Sequence, residues 1–375
     1  MMALKLCLFL WICAGTISTA TQANAQQLRG EPYARQFLNG QDYEGSDLSY
    51  AITEASDGSI LFGNDQVGIQ MLNGSNSQAL PLPGNAVAST FVRDAKGRLY
   101  TGSYDLIARL ERGPGQEYRV QRLGDLLPES YRPLPFIHDS APVGDTGLLF
   151  ISLKAGFFYD VSADSLFRIA PEGDFVATAR VGETTYLTDT EAGLFTLGPN
   201  GRLQPVETPF PPGFSRVMDQ NGQLLVYLPT HELWRLHDGK TWEKTGSFPF
   251  FEEKAENYIL SINTLRSRNL VFTSLGGVHI YTPEGRLLEH YNRDNLLPTN
   301  VSGEAYEDTQ GRLWISSPAG LTVIERNEAM RQLSGRGEPE ADISAVAPLN
   351  SALVTGTTSG LGVLEPGKQF RWLRE

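Results

Sequence analysis

The residues best suited to binding chemistry lie in one irregular stretch of the sequence, SYRPLPFIHDSAP, at residues 130–142. This stretch combines flat apolar rings with hydrogen-bond donors and acceptors, in Tyr131, Arg132, Phe136, His138 and Asp139. Aromatic rings stack on the C–H faces of sugars, while guanidinium and carboxylate groups hold hydroxyls. The stretch therefore favours a site for a carbohydrate or another neutral polar ligand.

Two further irregular segments and two short turns carry the same mixture of residues. PFPPGFSR contributes Phe210, Phe214 and Arg216, and SFPFFEEKAENY contributes Phe250, Phe251, Glu253 and Tyr258. The short turns contribute Tyr104, Asp105 and Lys154. We predict a ligand site formed by Tyr104, Asp105, Tyr131, Arg132, Phe136, His138, Lys154, Phe214, Arg216, Phe251 and Tyr258. The alternative interpretation is that the aromatic side chains fill gaps between neighbouring sheets and that the charged ones lie in solvated loops.

Catalytic and metal-binding patterns are not found in the sequence. The five histidines are scattered and show no His-Glu-x-x-His spacing, and His231 and His237 on one hairpin lack a third ligand. Residues 308–314 share turn chemistry with a sugar-processing box, but their spacing differs and Leu313 stands where that box has threonine. No glycine-rich turn leads from a strand into a helix, as a phosphate site would require. We predict no catalytic residue, metal or cofactor, and we lean towards a protein that is not an enzyme.

The first 25 residues have the three-part pattern of a secretory signal peptide. Lys5 precedes an apolar run at residues 6–17, and small residues lead to a cleavage site near Ala25. The apolar run is too short to span a bilayer as a stable helix. Cys7 and Cys13, the two cysteines of the chain, both lie in this segment. We expect residues 26–375 to form a single domain without disulfides. This domain should be periplasmic or secreted.

The acidic composition excludes two classes of partner. The chain has 31 basic and 43 acidic residues, with a formal net charge of −12 at pH 7, and it contains no long basic run. Nucleic-acid backbones and anionic membrane surfaces attract proteins through clustered Lys and Arg. We therefore expect no nucleic-acid partner.

A repeated unit must position the irregular loops. Its clearest copy is EDTQGRLWISSPAGLTVIERN at residues 307–327, which has a polar turn, an apolar strand, a glycine turn and a second apolar strand. Equivalent turns recur with a mean spacing of about 42 residues, which is typical of four-stranded propeller blades. They are marked by Gly58, Gly97, Gly147, Thr184, Gly222, Asn269, Gly311 and Ser351. A ring of such sheets buries the faces that one sheet leaves open.

We predict an all-β fold, a β-propeller of four-stranded antiparallel blades. Eight turn marks favour eight blades, and seven blades are the alternative if two weak copies share a blade. Residues 35–38 and 370–373 both resemble the outer-strand segment at 288–291, so either end can complete the closing blade. Because the acidic turn joins the first and second strands, the loops between blades and the turns at 104 and 154 should share the opposite face, where propellers form their pockets.

The repeat resembles the unit of the two-component regulator propeller family, acid-x-x-Gly-x-Leu-Trp-Ile-Gly-Thr followed by Gly-Leu. The matching residues are Asp308, Gly311, Leu313, Trp314, Ile315, Gly320 and Leu321 in one copy, and Asp94, Gly97, Leu99, Tyr100 and Gly102 in another. Residues 295–298 and Val301 are similar to the family's lead-in, with Asn295 in place of glycine. The resemblance implies the extracytoplasmic sensor of a bacterial signalling protein, which a membrane helix and a cytoplasmic output normally follow. The chain ends soon after its last repeat, so a free-standing relative and a truncated sensor both stay open.

The sequence thus predicts an exported propeller that binds a ligand or a partner and serves as a sensor module. The expected partner is a small molecule, with an oligosaccharide as one candidate, or a protein. The membrane-bound signalling output would be encoded separately or be missing from this chain. The alternatives are a propeller enzyme of the lyase or lactonase type with a metal in the channel, and a scaffold for protein interactions.

Overall fold

The computed structural model describes residues 34–74, 76–113, 118–248, 259–294, 296–326, 343–349, 352–357, 360–364 and 371–373. These residues belong to two compact units, of which the larger covers residues 33–329. The signal peptide and its cleavage site lie outside the described residues. They stay predictions, as does the single domain expected for residues 26–375.

The larger unit contains seven four-stranded antiparallel sheets, here named blades 1 to 7. Blade 1 contains β2 (Ser49–Glu54), β3 (Ile60–Asn64), β4 (Gly68–Asn73) and β5 (Asn76–Leu80). Blade 2 contains β6 (Thr90–Arg93), β7 (Leu99–Ser103), β8 (Leu106–Arg112) and β9 (Tyr118–Arg122). Blade 3 contains β10 (Asp139–Val143), β11 (Gly147–Ser152), β12 (Ala155–Asp160) and β13 (Ser165–Ile169). Blade 4 contains β14 (Phe175–Val181), β15 (Thr184–Asp189), β16 (Gly193–Leu197) and β17 (Leu203–Pro205).

The remaining three blades follow the same plan. Blade 5 contains β18 (Arg216–Gln220), β19 (Gln223–Tyr227), β20 (Glu232–His237) and β21 (Thr241–Ser247). Blade 6 contains β22 (Ile259–Thr264), β23 (Leu270–Ser274), β24 (Gly277–Tyr281) and β25 (Leu287–Tyr291). Blade 7 contains β26 (Ala305–Glu307), β27 (Arg312–Ser317), β28 (Gly320–Glu325) and, as its outer strand, β1 (Ala34–Leu38). Short 3-10 helices occupy Pro83–Asn85, Gly124–Leu126 and Glu129–Tyr131, and no helix among the described residues is long and apolar enough to cross a membrane.

The inner strands form a closed ring. β2, β6, β10, β14, β18, β22 and β26 contact one another in this order, and β26 in turn contacts β2. The predicted four-stranded antiparallel blades are confirmed, but the favoured number of eight is wrong, and the alternative of seven is the number in the structure.

The seam between blades 1 and 7 explains why the ring closes at seven. The Ser49 hydroxyl on β2 donates to the carbonyl oxygens of Ser317 and Gly320, both at 3.2 Å. β1 pairs with β28 along its whole length, with Leu38 opposite Leu321, so the start of the described chain supplies the fourth strand. Trp314, 5% exposed, packs in one apolar cluster with Ile52 and Phe62 of blade 1. The seam is thereby filled without another repeat.

The eighth repeat of the sequence belongs to the smaller unit. Its residues form a separate four-stranded sheet in the smaller unit, with the strand order β29-β30-β31-β32. The strands are β29 (Ile343–Leu349), β30 (Ala352–Thr357), β31 (Gly360–Leu364) and β32 (Arg371–Leu373). The repeat pattern therefore predicted a blade-like sheet correctly, but not its membership of the ring.

The acidic turn of the repeat is a structural device. In blade 7 the Asp308 Oδ1 accepts hydrogen bonds from the backbone N–H groups of Gln310 and Arg312, both at 2.9 Å. Its Oδ2 accepts from Arg312 Nε at 2.6 Å and from Trp314 Nε1 at 2.8 Å. Gly311 has φ 79°, a left-handed conformation that glycine adopts without steric cost. One buried carboxylate thus fixes the turn and the tryptophan that fills the seam.

The same arrangement recurs in blade 2. The Asp94 Oδ1 accepts from the backbone N–H groups of Lys96 and Arg98 at 2.9 Å, and its Oδ2 accepts from Arg98 Nε at 2.6 Å and from the Tyr100 hydroxyl at 3.1 Å. Burial opposes ionisation of Asp94, but these hydrogen bonds outweigh it and keep the pKa below its usual range. Tyrosine therefore replaces tryptophan as the donor without changing the turn.

Candidate functional site

The loop that leads from β9 to β10 is held against the turn between β7 and β8. The Asp105 Oδ1 accepts a hydrogen bond from the Leu134 backbone N–H at 2.9 Å, and the Asp105 backbone N–H donates to the Leu134 carbonyl oxygen at 3.2 Å. Asp105 has φ 51°, a conformation that aspartate tolerates better than most residues. Tyr104, at the tip of this turn, is 52% exposed. The structure thus brings the predicted turn and the predicted loop together.

Arg168 on β13 connects this loop with the predicted Lys154. Its guanidinium carbon lies 5.7 Å from the centroid of the Tyr131 ring, and its Nη2 donates to the Lys154 carbonyl oxygen at 3.2 Å. The Lys154 ammonium is itself paired with Asp174. Arg168 was not among the predicted site residues, because it lies on the regular outer strand β13 rather than in a loop.

Four of the predicted aromatic side chains are exposed, whereas another aromatic fills a gap between sheets. Tyr104, Tyr131, Phe136 and Phe214 are 52%, 43%, 44% and 42% exposed. In contrast, Phe210 packs against the Trp234 and Trp242 rings, with centroid distances of 5.7 and 5.1 Å. The gap-filling interpretation thus fits Phe210 but not the four exposed rings. We name Tyr104, Asp105, Tyr131, Phe136, Lys154 and Arg168 the loop-face surface.

Arg132 and His138 make contacts within the fold. The Arg132 Nη2 donates to the Leu127 carbonyl oxygen at 2.9 Å, and its Nη1 lies 3.3 Å from Asp125, so the side chain braces its own loop. The His138 Nε2 lies 3.0 Å from the Val176 carbonyl oxygen on β14. This contact joins blades 3 and 4.

Asp139 makes the adjoining contact across the same seam. Its Oδ2 accepts a hydrogen bond from the Thr178 backbone N–H at 2.9 Å, and its Oδ1 accepts from the Ser140 backbone N–H at 2.8 Å. The pairing of β14 with β15 shifts register between Phe175 and Thr178. Such a bulge turns backbone groups out of the strand ladder and makes them available to a neighbour.

Glu304 repeats this arrangement at the seam that closes the ring. Its Oε2 accepts a hydrogen bond from the Ile52 backbone N–H at 3.2 Å, and the pairing of β2 with β3 shifts register between Ser49 and Ile52. Glu304 was not among the predicted site residues, because it belongs to no recognisable motif. The available signal was its position directly before an inner strand, which becomes clear only once the strand boundaries are known.

Asp139, Arg216 and Glu304 lie at the same end of the central channel; we name them the channel-end cluster. Asp139 and Arg216 are the first residues of the inner strands β10 and β18, and Glu304 directly precedes β26. Each residue is partly buried. Inner strands of one ring run side by side, so their starting residues meet at one channel end, which is also the end that carries the loops between blades.

The charges of this cluster interact. Burial raises the pKa of the Asp139 carboxyl to about 6, against the opposing effects of its backbone hydrogen bonds and the Arg216 charge. Burial raises the pKa of Glu304 to about 8, and the charge of Asp139 adds to this rise. The cluster therefore combines the cationic Arg216 with two carboxyls whose pKa values are both raised by burial.

Two predicted site residues, the metal hypothesis and one pair of histidines complete the description of the site. Phe251 and Tyr258 lie outside the described residues. Within the parts of the chain that the structure describes, no group of three or more His, Cys, Asp or Glu side chains is placed to hold a metal ion. His279 and His290 stack with ring centroids 4.0 Å apart in blade 6, and burial together with the neighbouring His290 lowers the pKa of His279 to about 3.

Comparison with known proteins relates the chain to solved propellers. No protein-family model and no curated protein matches it. The extracellular domain of a hybrid two-component system from B. thetaiotaomicron is 16% identical, with a TM-score of 0.58 over 92% of this chain and 47% of that one. A second such domain from the same organism is also 16% identical, with a TM-score of 0.61 over 91% of this chain and 49% of that one. The chain thus spans about half the length of these domains.

A propeller enzyme is similar to a comparable degree. A streptogramin B lyase is 12% identical, with a TM-score of 0.61 over 79% of this chain and 98% of that one. At such identities the likeness shows the fold and does not distinguish a sensor from an enzyme. The comparisons therefore identify the chain as a β-propeller whose structural neighbours include extracellular domains of two-component systems.

Proposed function

We propose that the protein is an exported ligand-binding propeller that serves as the sensor module of a bacterial signalling system, and that its ligand is an oligosaccharide. The observation that carries the proposal is the loop-face surface, which presents exposed rings beside fixed polar groups. The rings of Tyr104 and Tyr131 offer flat faces on which a sugar can stack, while the Lys154 ammonium and the Arg168 guanidinium can donate hydrogen bonds to its hydroxyls.

The loop-face surface is organised before any ligand arrives. Asp105 holds Leu134 through two hydrogen bonds, and Arg168 connects the Tyr131 ring with the Lys154 turn. Binding to a surface whose loops are already ordered avoids the cost of immobilising them, which favours affinity. The surface carries the cations Lys154 and Arg168 and the carboxylate of Asp105, and Asp174 pairs with Lys154. This near balance of charge suits an uncharged polar ligand.

The signalling role rests on the resemblance of the repeats and on the structural neighbours, some of which are extracellular domains of two-component systems. Localisation outside the cytoplasm is consistent with these neighbours and with the predicted signal peptide. We propose that a membrane-bound output, encoded separately or beyond this sequence, receives the signal.

A thermal-shift screen followed by calorimetry tests the ligand class. The panel contains neutral trisaccharides of glucose, xylose, galactose and arabinose. We expect at least one to raise the Tm, because a ligand that binds only the folded state stabilises it by linkage. The Tyr104→Ala and Tyr131→Ala variants should weaken its binding about tenfold or more, as expected when a stacking ring worth about 1.4 kcal/mol is lost.

The control is Phe37→Ala, which removes an aromatic side chain that is 41% exposed on the outer strand β1. This variant should bind as the parent does. If no trisaccharide binds, the oligosaccharide proposal is wrong; if one binds equally to all variants, the loop-face surface is not its site.

A further inference from the structure

The outer strands of blades 1 and 2 border a cavity of about 180 Å³. Leu61 and Ile69, both fully buried, line its floor. The half-buried Met71 and Tyr118 line its walls, and the exposed Gln78 lies at its mouth. The cavity is therefore apolar at its base and can be reached from solvent.

One row of side chains that crosses blade 1 explains why this space is open. Leu61 on β3 pairs with Met71 on β4, and Met71 pairs with Gln78 on β5, so the three side chains lie on the same face of the sheet. This face packs against blade 2, since Leu61 belongs to one apolar cluster with Leu99 and Leu106. The outer part of this row thus consists of a thioether and an amide.

The equivalent row of blade 3 ends in two aromatic rings. Leu149 pairs with Phe158, and Phe158 pairs with Phe167. This row lies as far from the closed end of the β11–β12 hairpin as the row of blade 1 lies from that of the β3–β4 hairpin. The two rings lie 5.0 Å apart, and Phe158 belongs to one apolar cluster with Phe175 of blade 4. Rings thus fill the seam between blades 3 and 4 at the position where the seam between blades 1 and 2 contains the cavity.

The seam between blades 4 and 5 is also filled by rings. Trp242 on the outer strand β21 lies with its ring centroid 5.1 Å from that of Phe210, and its Nε1 donates to the Glu207 carbonyl oxygen at 3.0 Å. Blades diverge with distance from the central channel, so the outer part of a seam needs large side chains. The cavity is therefore the space of a ring that the chain itself does not supply.

The volume and the lining of the cavity select its occupant. Apolar cavities of about 150 Å³ take up benzene, whereas drug-sized ligands occupy pockets of roughly 300–1,000 Å³. A volume of about 180 Å³ thus suits one ring. The Tyr118 ring can pack against an inserted ring, and the Met71 sulfur makes favourable contacts with aromatic rings. An aromatic ring therefore suits this lining better than an aliphatic group.

The surroundings of the mouth favour a free small molecule over a protein partner. Asn76 and Gln78, both polar and exposed, lie on the outer strand β5 beside the mouth. Of the large apolar side chains that are exposed in the described parts of the chain, none lies on β4, β5 or β9. Protein docking sites are marked by larger contiguous apolar patches.

We propose that the cavity between blades 1 and 2 binds a small molecule by inserting one benzene ring, which takes the place that the Phe167 ring occupies in blade 3. The Arg112 guanidinium pairs with Asp57 of blade 1 and lies 5.2 Å from the centroid of the Tyr118 ring. This pair helps to fix the distance between the two blades and so holds the cavity open. The site shares no residue with the loop-face surface and does not depend on the proposed oligosaccharide.

The test is benzene binding, followed by NMR spectroscopy of the protein with ¹³C-labelled methionine methyl groups. The Met71 methyl signal should shift, because the inserted ring imposes its ring current on it. The Met218 signal should not shift, since Met218 is buried at the seam between blades 5 and 6. Benzene should also raise the Tm, because a ligand that binds only the folded state stabilises it.

Gln78→Phe tests the site by giving the row of blade 1 a ring of its own. This ring should fill the cavity, raise the Tm in the absence of benzene, and weaken benzene binding about tenfold or more, since a close-packed interior leaves no room for a second ring. Gln204→Phe is the matched control, because Gln204 is exposed on the outer strand β17 of blade 4. This variant should bind benzene as the parent does, and circular dichroism establishes that both variants are folded.

The parent protein alone can overturn the proposal. A Met71 methyl signal that does not move in benzene-saturated buffer shows that no ring enters the cavity, whatever the variants do. A folded Gln78→Phe variant that binds benzene as tightly as the parent also overturns it. Failure of the trisaccharides to bind would contradict the proposed function and leave this site standing.

Discussion

Asp139 and Glu304 make the same contact at two seams of the ring: each accepts a hydrogen bond from the backbone N–H of a residue at a bulge in the next inner strand. The distances are 2.9 Å from Thr178 to Asp139 and 3.2 Å from Ile52 to Glu304. Both carboxyls thus help to join blades at the starts of the inner strands. Because both carboxyls join blades and both have raised pKa values, the stability of the protein should depend on pH.

Glu304→Gln should stabilise the protein at high pH. The folded-state pKa of about 8 lies above the ordinary value of 4.5, so the folded state binds the additional proton. The stabilisation that Glu304 contributes is complete below about pH 4.5 and is lost as the pH rises through 8. Glutamine at this position does not ionise, so its contribution does not change with pH. Calorimetry should show the variant several degrees more stable at pH 9 and about equal at pH 4. Equal Tm values at pH 9 would contradict the prediction.

Asp308→Ala should destabilise the protein by about 3–5 kcal/mol, since it leaves the turn N–H groups, the Arg312 guanidinium and the buried Trp314 indole N–H without their acceptor. Asp219→Ala is the matched control, because among the described residues the Asp219 carboxylate accepts one hydrogen bond, from the Gly222 backbone N–H at 2.8 Å, in the equivalent turn of blade 5. Urea unfolding should give a loss of about 1 kcal/mol there. Similar losses for the two variants would argue against the special role of Asp308.

Asp105→Ala should loosen the loop at residues 130–138 and weaken ligand binding. The change removes the acceptor of the Leu134 N–H, and it also places alanine at φ 51°. Asp238→Ala controls for this backbone cost, because Asp238 has φ 50° in an exposed turn between β20 and β21. Hydrogen exchange should increase in the loop for Asp105→Ala alone. Unchanged exchange there would show that Asp105 does not hold the loop.

Removal of residues 34–38 should open the ring at blade 7. The deletion leaves β28 without its outer partner, and an unpaired strand edge promotes association with other chains. Size-exclusion chromatography should detect oligomers, and the Tm should fall. A monomer of unaltered Tm after this deletion would refute the role of β1.

The predicted site residues take different positions in the structure, and their role in ligand binding stays a prediction. Tyr104, Asp105 and Tyr131 lie together on the loop-face surface, as the mixture of aromatic and charged residues indicated. Arg132 and His138 carry the same residue types but are used within the fold, by Leu127 and Val176. Residue type shows which groups a side chain could bind, whereas the nearest partner decides which one it binds.

The sequence by itself determined the blade, because alternating apolar residues, acidic turns and left-handed glycines act over a few residues. Only the tertiary structure decided the number of blades and the composition of the channel end. Ring closure depends on β1 pairing with β28 and on β2 packing against β26, and both contacts join residues more than 250 positions apart. Asp139 and Glu304 likewise influence each other only because seven inner strands bring distant segments around one channel, where burial and charge act through space.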